Sequence, residues 1–86
     1  MTKREILVEH GYEDLIVFES PDYDSAIIGV SHDDRVIYDY DKMIEHLIEN
    51  EDMDIESAAD FISYDTMRAI PYAGDGAPII MFKLEE

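Results

Sequence analysis

The chain has 86 residues, 47% of them hydrophobic, with no cysteine and no tryptophan, and its 22 acidic residues against 6 basic ones give a formal net charge of −16. That length leaves room for one hydrophobic core, so residues 1–86 are read as one small acidic domain; without cysteine, a disulfide framework, a thiolate zinc site and a cysteine nucleophile are all excluded. Such a charge repels nucleic acid and anionic membranes and attracts cations or basic protein surfaces.

The hydrophobic content is too high for a disordered chain, and aliphatic residues recur in short runs. No stretch approaches eighteen consecutive apolar residues, and the opening residues lack the apolar region of a signal peptide, so a cytoplasmic protein is expected. The charge is also uneven. Between Glu5 and Asp65 there are 19 acidic residues against Arg35 and Lys42, whereas residues 66–86 carry three acids and two bases.

Taken in order, Thr2 is placed to cap a short helix through His10, with Glu5 at the capping-box position and Gly11 as the stop. Residues 15–19 (LIVFE) read as a strand closed by a turn at Ser20, Pro21 and Asp22, and residues 25–31 (SAIIGVS) as a second strand, with Gly29 marking a bulge or a close backbone approach. A polar link of His32, Asp33 and Asp34 implies a hairpin into a third strand over residues 35–40, where Asp tolerates left-handed turn geometry. Its alternation puts Val36, Tyr38 and Tyr40 on one face and Ile37, Asp39 and Asp41 on the other.

Asp39 or Asp41 then caps a helix with Met43, Ile44, Leu47 and Ile48 on its apolar side and Glu45, His46, Glu49 and Asn50 outward. Asp54 caps a second helix burying Ile55, Ala58, Ala59 and Ile62, and the short polar link between them makes an αα-hairpin. Pro71 ends the helical region, two glycines at 74 and 76 mark a loop, and residues 79–84 (IIMFKL) form the last strand. The expected fold is α+β: a mainly antiparallel four-stranded sheet in the order α-β-β-β-α-α-β, with the αα-hairpin packed on one face.

The repeated carboxylates invite a calcium reading, but the nearest EF-hand register, starting at Asp52, puts Ser57 where glycine is required and Ser63 where the bidentate glutamate belongs. His10, His32 and His46 have no metal-ligand spacing, no serine lies in a nucleophile elbow, and Gly74, Asp75 and Gly76 place an acid where a phosphate loop needs a cation. No catalytic residue, cofactor or metal is therefore expected, and the protein is read as a non-enzyme. The six tyrosines are more informative, because each lies among acids, as in Tyr38-Asp39-Tyr40-Asp41. Such rings anchor interfaces and stack on arginine while carboxylates steer a basic partner.

The run VIYDYDKMIEHLIENEDMDIESAADFI (36–62), followed by RAIPY (68–72) and APII (77–80), resembles a group of small acidic proteins encoded by phages, prophages and mobile elements of Gram-positive bacteria. The likeness covers most of the chain from about Tyr12 onward. It implies no particular activity and transfers no catalytic residue. It does imply a class of partner, because small acidic phage proteins include DNA mimics and anti-CRISPR or anti-restriction inhibitors.

The expected function is accordingly binding to the basic surface of a host protein. The contact is expected to run through Asp39, Asp41, Glu45, Glu49, Glu51, Asp52, Glu56 and Asp60, with Tyr38 and Tyr40, and without direct nucleic-acid or membrane binding. The alternative is an accessory or assembly protein, a homodimer whose acids serve solubility.

Overall fold

Thr2 accepts a hydrogen bond from the backbone N–H of Glu5 at 3.2 Å and caps α1, Lys3–Glu9, in the computed structural model, which describes residues 2–19 and 21–84. The helix stops where Gly11 turns left-handed (φ 87°). There the Tyr12 N–H bonds to the Leu7 carbonyl at 2.9 Å and the Gly11 N–H to that of Val8 at 3.0 Å, the paired closure of a Schellman motif.

Residues 16–19 follow with no turn, bend or ladder partner, which corrects the expected strand over 15–19. The physical reason lies in two side chains. The Phe18 N–H donates to the Tyr38 hydroxyl at 3.1 Å, and its carbonyl accepts from the Arg4 guanidinium at 2.5 Å, so at Phe18 the bonds that a neighbouring strand would supply are already made. Leu15, Val17 and Phe18 still pack against the core as an apolar strap. Ser20, from the expected turn, lies outside the described residues.

A single 3-10 turn, Asp24–Ala26, leads into β1, Ile27–Val30, which pairs antiparallel with β2, Val36–Asp39. The register slips between Ile27 and Gly29, leaving Ile28 as the extra residue of a bulge. A side chain at Gly29 would meet nothing within 4 Å, so of the two readings of this glycine the bulge is correct. The hairpin closes through Ser31 and Arg35, with Asp34 left-handed at φ 60° as its sequence position implied.

Asp39 accepts a hydrogen bond from the Asp41 N–H at 3.0 Å and starts α2, Tyr40–Asn50, so Tyr40 belongs to the helix and not to a strand face. Met43 and Leu47 are buried, but Ile48 is exposed, and His46, expected outward, is half-buried. Asp54 caps α3, Ile55–Phe61, by accepting from the Ser57 N–H at 2.7 Å. That bond holds the Asp54 carboxyl below its ordinary pKa. Ala58 and Ile62 are buried as expected, whereas Ile55, at the first turn, is 69% exposed.

α3 does not end at Phe61. It widens into a π-helical turn, Ile62–Thr66, whose Met67 N–H reaches back to the Ile62 carbonyl, and then tightens through Met67–Ala69 into a 3-10 turn, Ile70–Ala73, that contains Pro71.

After a turn at Gly74–Ala77, β3, Ile79–Met81, joins β2 in parallel register, with Tyr38 opposite Ile80. Among the described residues the sheet thus has three strands in the order β1-β2-β3, and it is mixed. The expected four antiparallel strands are corrected on both counts. Parallel pairing requires a crossover of a dozen or more residues, and α2 with the α3 rod supplies it. The Arg35 side chain fixes the return by donating to the Ala77 carbonyl at 2.7 Å.

α2 packs against β2, against α3 and against the turn ahead of β1, and the core lies between them. Its largest fully buried side chains are Tyr23, Tyr38, Met43, Leu47, Ile62 and Val36. Among the described residues no helix is long and apolar enough to cross a membrane.

Candidate functional site

α2 turns Met43 and Leu47 inward, and at 100° per residue Asp41, Glu45 and Glu49 fall on the opposite side; all three are exposed. Residues four apart rise about 6 Å along a helix, so the three carboxylates form a regular stripe along its outer face. The same logic sets Glu56 and Asp60 of α3 opposite Ala58 and Ile62, and both are exposed. Glu51 and Asp52 are exposed in the link between the helices, where Asp52 is left-handed at φ 53°.

The ion pairs among the described residues involve only Arg4, with Glu19 and Asp24, and Arg35, with Asp33. None neutralises an outer acid of α2 or α3. Nor do three His, Asp or Glu side chains of the described residues converge as metal ligands would, so these acids are spread along surfaces and not gathered at a point.

The other three expected contact residues are placed differently. Asp39 is only 7% exposed and is occupied as the cap of α2. Tyr38 is fully buried under Phe18, with ring centroids 4.7 Å apart, and burial pushes its pKa up to about 12. Tyr40 is half-buried, with its ring 4.7 Å from that of Phe82. The tyrosines thus divide: Tyr23 and Tyr38 are core, while Tyr64 and Tyr72 are well exposed.

A second feature had no counterpart in the sequence reading. Between the strap and the α3 rod runs a groove of about 260 Å³, walled by Ile16 and Val17 on one side and by Phe61, Ala69 and Ile70 on the other. Its floor is Tyr23, fully buried and held in the left-handed region (φ 49°), a conformation that a bulky side chain rarely adopts. The Tyr23 and Thr66 hydroxyls hydrogen-bond there at 2.9 Å, and the Tyr23 ring lies edge-on to Phe18 and 5.5 Å from His46. Burial also raises the Tyr23 pKa. Glu19 and Asp65, both exposed, border the groove.

The chain has no significant match among protein-family models, curated proteins or solved structures. Function must therefore be argued from the two surfaces themselves. The outer acids could be found from sequence because helical period alone sorts them from Met43, Leu47, Ala58 and Ile62. The groove could not, since its walls come from segments brought together only by folding. One partial signal exists: Ala58, Ile62, Thr66 and Ile70 repeat every four residues instead of every 3.6, and such spacing keeps one face inward only if the helix widens, as the π turn does.

Proposed function

We propose that the protein binds a basic surface of a host protein through the outer acids of α2 and α3, as a DNA mimic that inhibits a nucleic-acid-binding defence protein of the anti-CRISPR or anti-restriction type. The observation that carries this reading is the stripe of Asp41, Glu45 and Glu49, exposed and without an ion-pair partner among the described residues. Duplex DNA carries roughly one charge per 3.4 Å along each strand, so a stripe with one carboxylate every 6 Å or so is sparser than a phosphate backbone. The link acids Glu51 and Asp52 and the α3 pair Glu56 and Asp60 complete the proposed contact. A phage or mobile-element origin, which the resemblance of residues 36–62 implies and no comparison tests, would put that partner in the host cytoplasm. In this reading the protein is neither an enzyme nor a cofactor carrier, and Asp39 and Tyr38 serve the fold while Tyr40 stands at the margin of the contact.

The test is capture from nuclease-treated host lysate with the protein as bait. A basic nucleic-acid-binding protein should be retained at low salt, released as salt rises towards about 0.5 M, where screening is within several Å, and lost with the double variant Glu45→Lys and Glu49→Lys. Capture of no basic protein, or capture indifferent to that variant, would count decisively against the reading.

A second reading, a homodimeric accessory protein whose acids serve solubility, is favoured by one observation. β3 is an edge strand in the least acidic part of the chain, and Phe82 and Leu84 just beyond it are 59% and 92% exposed. Light scattering separates the two, because dimerisation through this edge is insensitive to salt or strengthened by it.

A further inference from the structure

We propose that the groove between the strap and the α3 rod is a docking site for an extended segment of a partner protein, one that alternates apolar side chains with lysine or arginine. The proposal stands apart from the reading of the helix acids, since none of those acids lines the groove.

Three observations converge on this occupant. First, the strap offers an open ladder. The N–H and C=O of Phe18 are taken by Tyr38 and Arg4, but those of Val17 and Glu19 are not. No described residue hydrogen-bonds to them. This is the arrangement that strand addition uses, with main-chain bonds for affinity and pockets for alternate side chains.

Second, Phe61, Ala69, Ile70 and the Tyr23 floor make the opposite wall and the base apolar. At about 260 Å³ the space is small beside the roughly 300–1,000 Å³ of small-molecule sites and suits a side chain or two. The buried hydroxyls of Tyr23 and Thr66 beneath the groove satisfy each other, so an apolar group filling the groove orphans neither. Third, the rim is acidic. Glu19 is 76% exposed at its side chain and shared only with Arg4 at 3.4 Å, while Asp65 has no ion pair among the described residues; both favour a basic side chain on either flank of the apolar one.

The probe is the blocked peptide acetyl-Lys-Leu-Lys-Leu-Lys-amide, titrated into 15N-labelled protein at about 0.15 M salt, where distant surface charge is screened. Saturable amide shifts should concentrate at Ile16, Val17, Glu19, Thr66 and Ala69. Glu19→Gln and Asp65→Asn, both at exposed positions, should each weaken binding roughly threefold to fivefold, as expected for a solvated charge pair. The same peptide N-methylated at its central lysine keeps its charge but loses a ladder donor, and should bind several-fold more weakly. Ala69→Phe, which fills the groove, should abolish the shifts while leaving salt-sensitive capture by the helix acids intact.

Shifts that instead follow Asp41, Glu45 and Glu49, or affinity unchanged by both the N-methyl group and Ala69→Phe, would overturn the proposal. So would the same shifts on concentrating the protein without peptide, which would mean that a second copy fills the groove.

Discussion

Tyr38 combines two roles that its sequence neighbours disguise. Followed by Asp39 and Asp41 in the run Tyr38-Asp39-Tyr40-Asp41, it looks like an interface ring, yet its side chain is fully buried and its hydroxyl accepts the Phe18 N–H that holds the strap. Tyr38→Phe leaves that N–H without a partner and should cost about 1–3 kcal/mol, read from denaturant midpoints at constant slope. An unchanged midpoint would show that the strap is held elsewhere. The hydroxyl also gives a pH signature. Burial favours the neutral phenol and raises its pKa from 10.0 to about 12, so the unfolded chain loses this proton before the folded one does. The contribution is complete below pH 10 and disappears as pH climbs towards 12. Burial raises Tyr23 in the same direction. Denaturation curves between pH 9 and 12 should therefore fall more steeply for the parent chain than for Tyr38→Phe, if the phenol controls that window.

At the scale of elements, the junction between β2 and α2 depends on Asp39, which ends the strand and caps the helix. Asp39→Ala should cost about 1 kcal/mol and lower the melting temperature by about 4–8 °C, while Asp39→Asn, which keeps an acceptor, should recover most of it. Equal losses in the two variants would mean that charge and not capping matters there.

The caps at Thr2 and Asp54, a cap at Asp39 or Asp41 of which the structure uses Asp39, and an Asp able to turn left-handed in the 32–34 link were legible because each depends on three or four consecutive residues. The strap was not, because residues 15–19 have the composition of a strand and what removes them from the sheet is Arg4 and Tyr38, 14 and 20 residues from Phe18. The direction of β3 was hidden for a similar reason: it follows from where a long helical crossover returns, which no local pattern records. The same division holds for function. Period placed the outer acids, but the groove depends on Tyr23 meeting Thr66 across 43 residues.

For the whole molecule, a net charge of −16 on 86 residues means that folding gathers like charges which the unfolded chain keeps apart. The ion pairs of Arg4 and Arg35 relieve this only locally. Salt should therefore stabilise the fold, with the melting temperature rising between about 0.01 and 0.15 M as the screening length falls from roughly 30 to 8 Å. Glu45→Lys should reproduce part of that gain without salt, since a lysine there lies four residues from both Asp41 and Glu49 and turns two repulsions into attractions on the outer face of α2. The gain should shrink as salt rises. The same substitution should weaken capture of a basic partner if the stripe is a binding surface, and leave every association unchanged if the acids serve solubility alone. Melting at two ionic strengths, set beside capture, thus separates a surface kept acidic for a partner at some loss of stability from one with no partner.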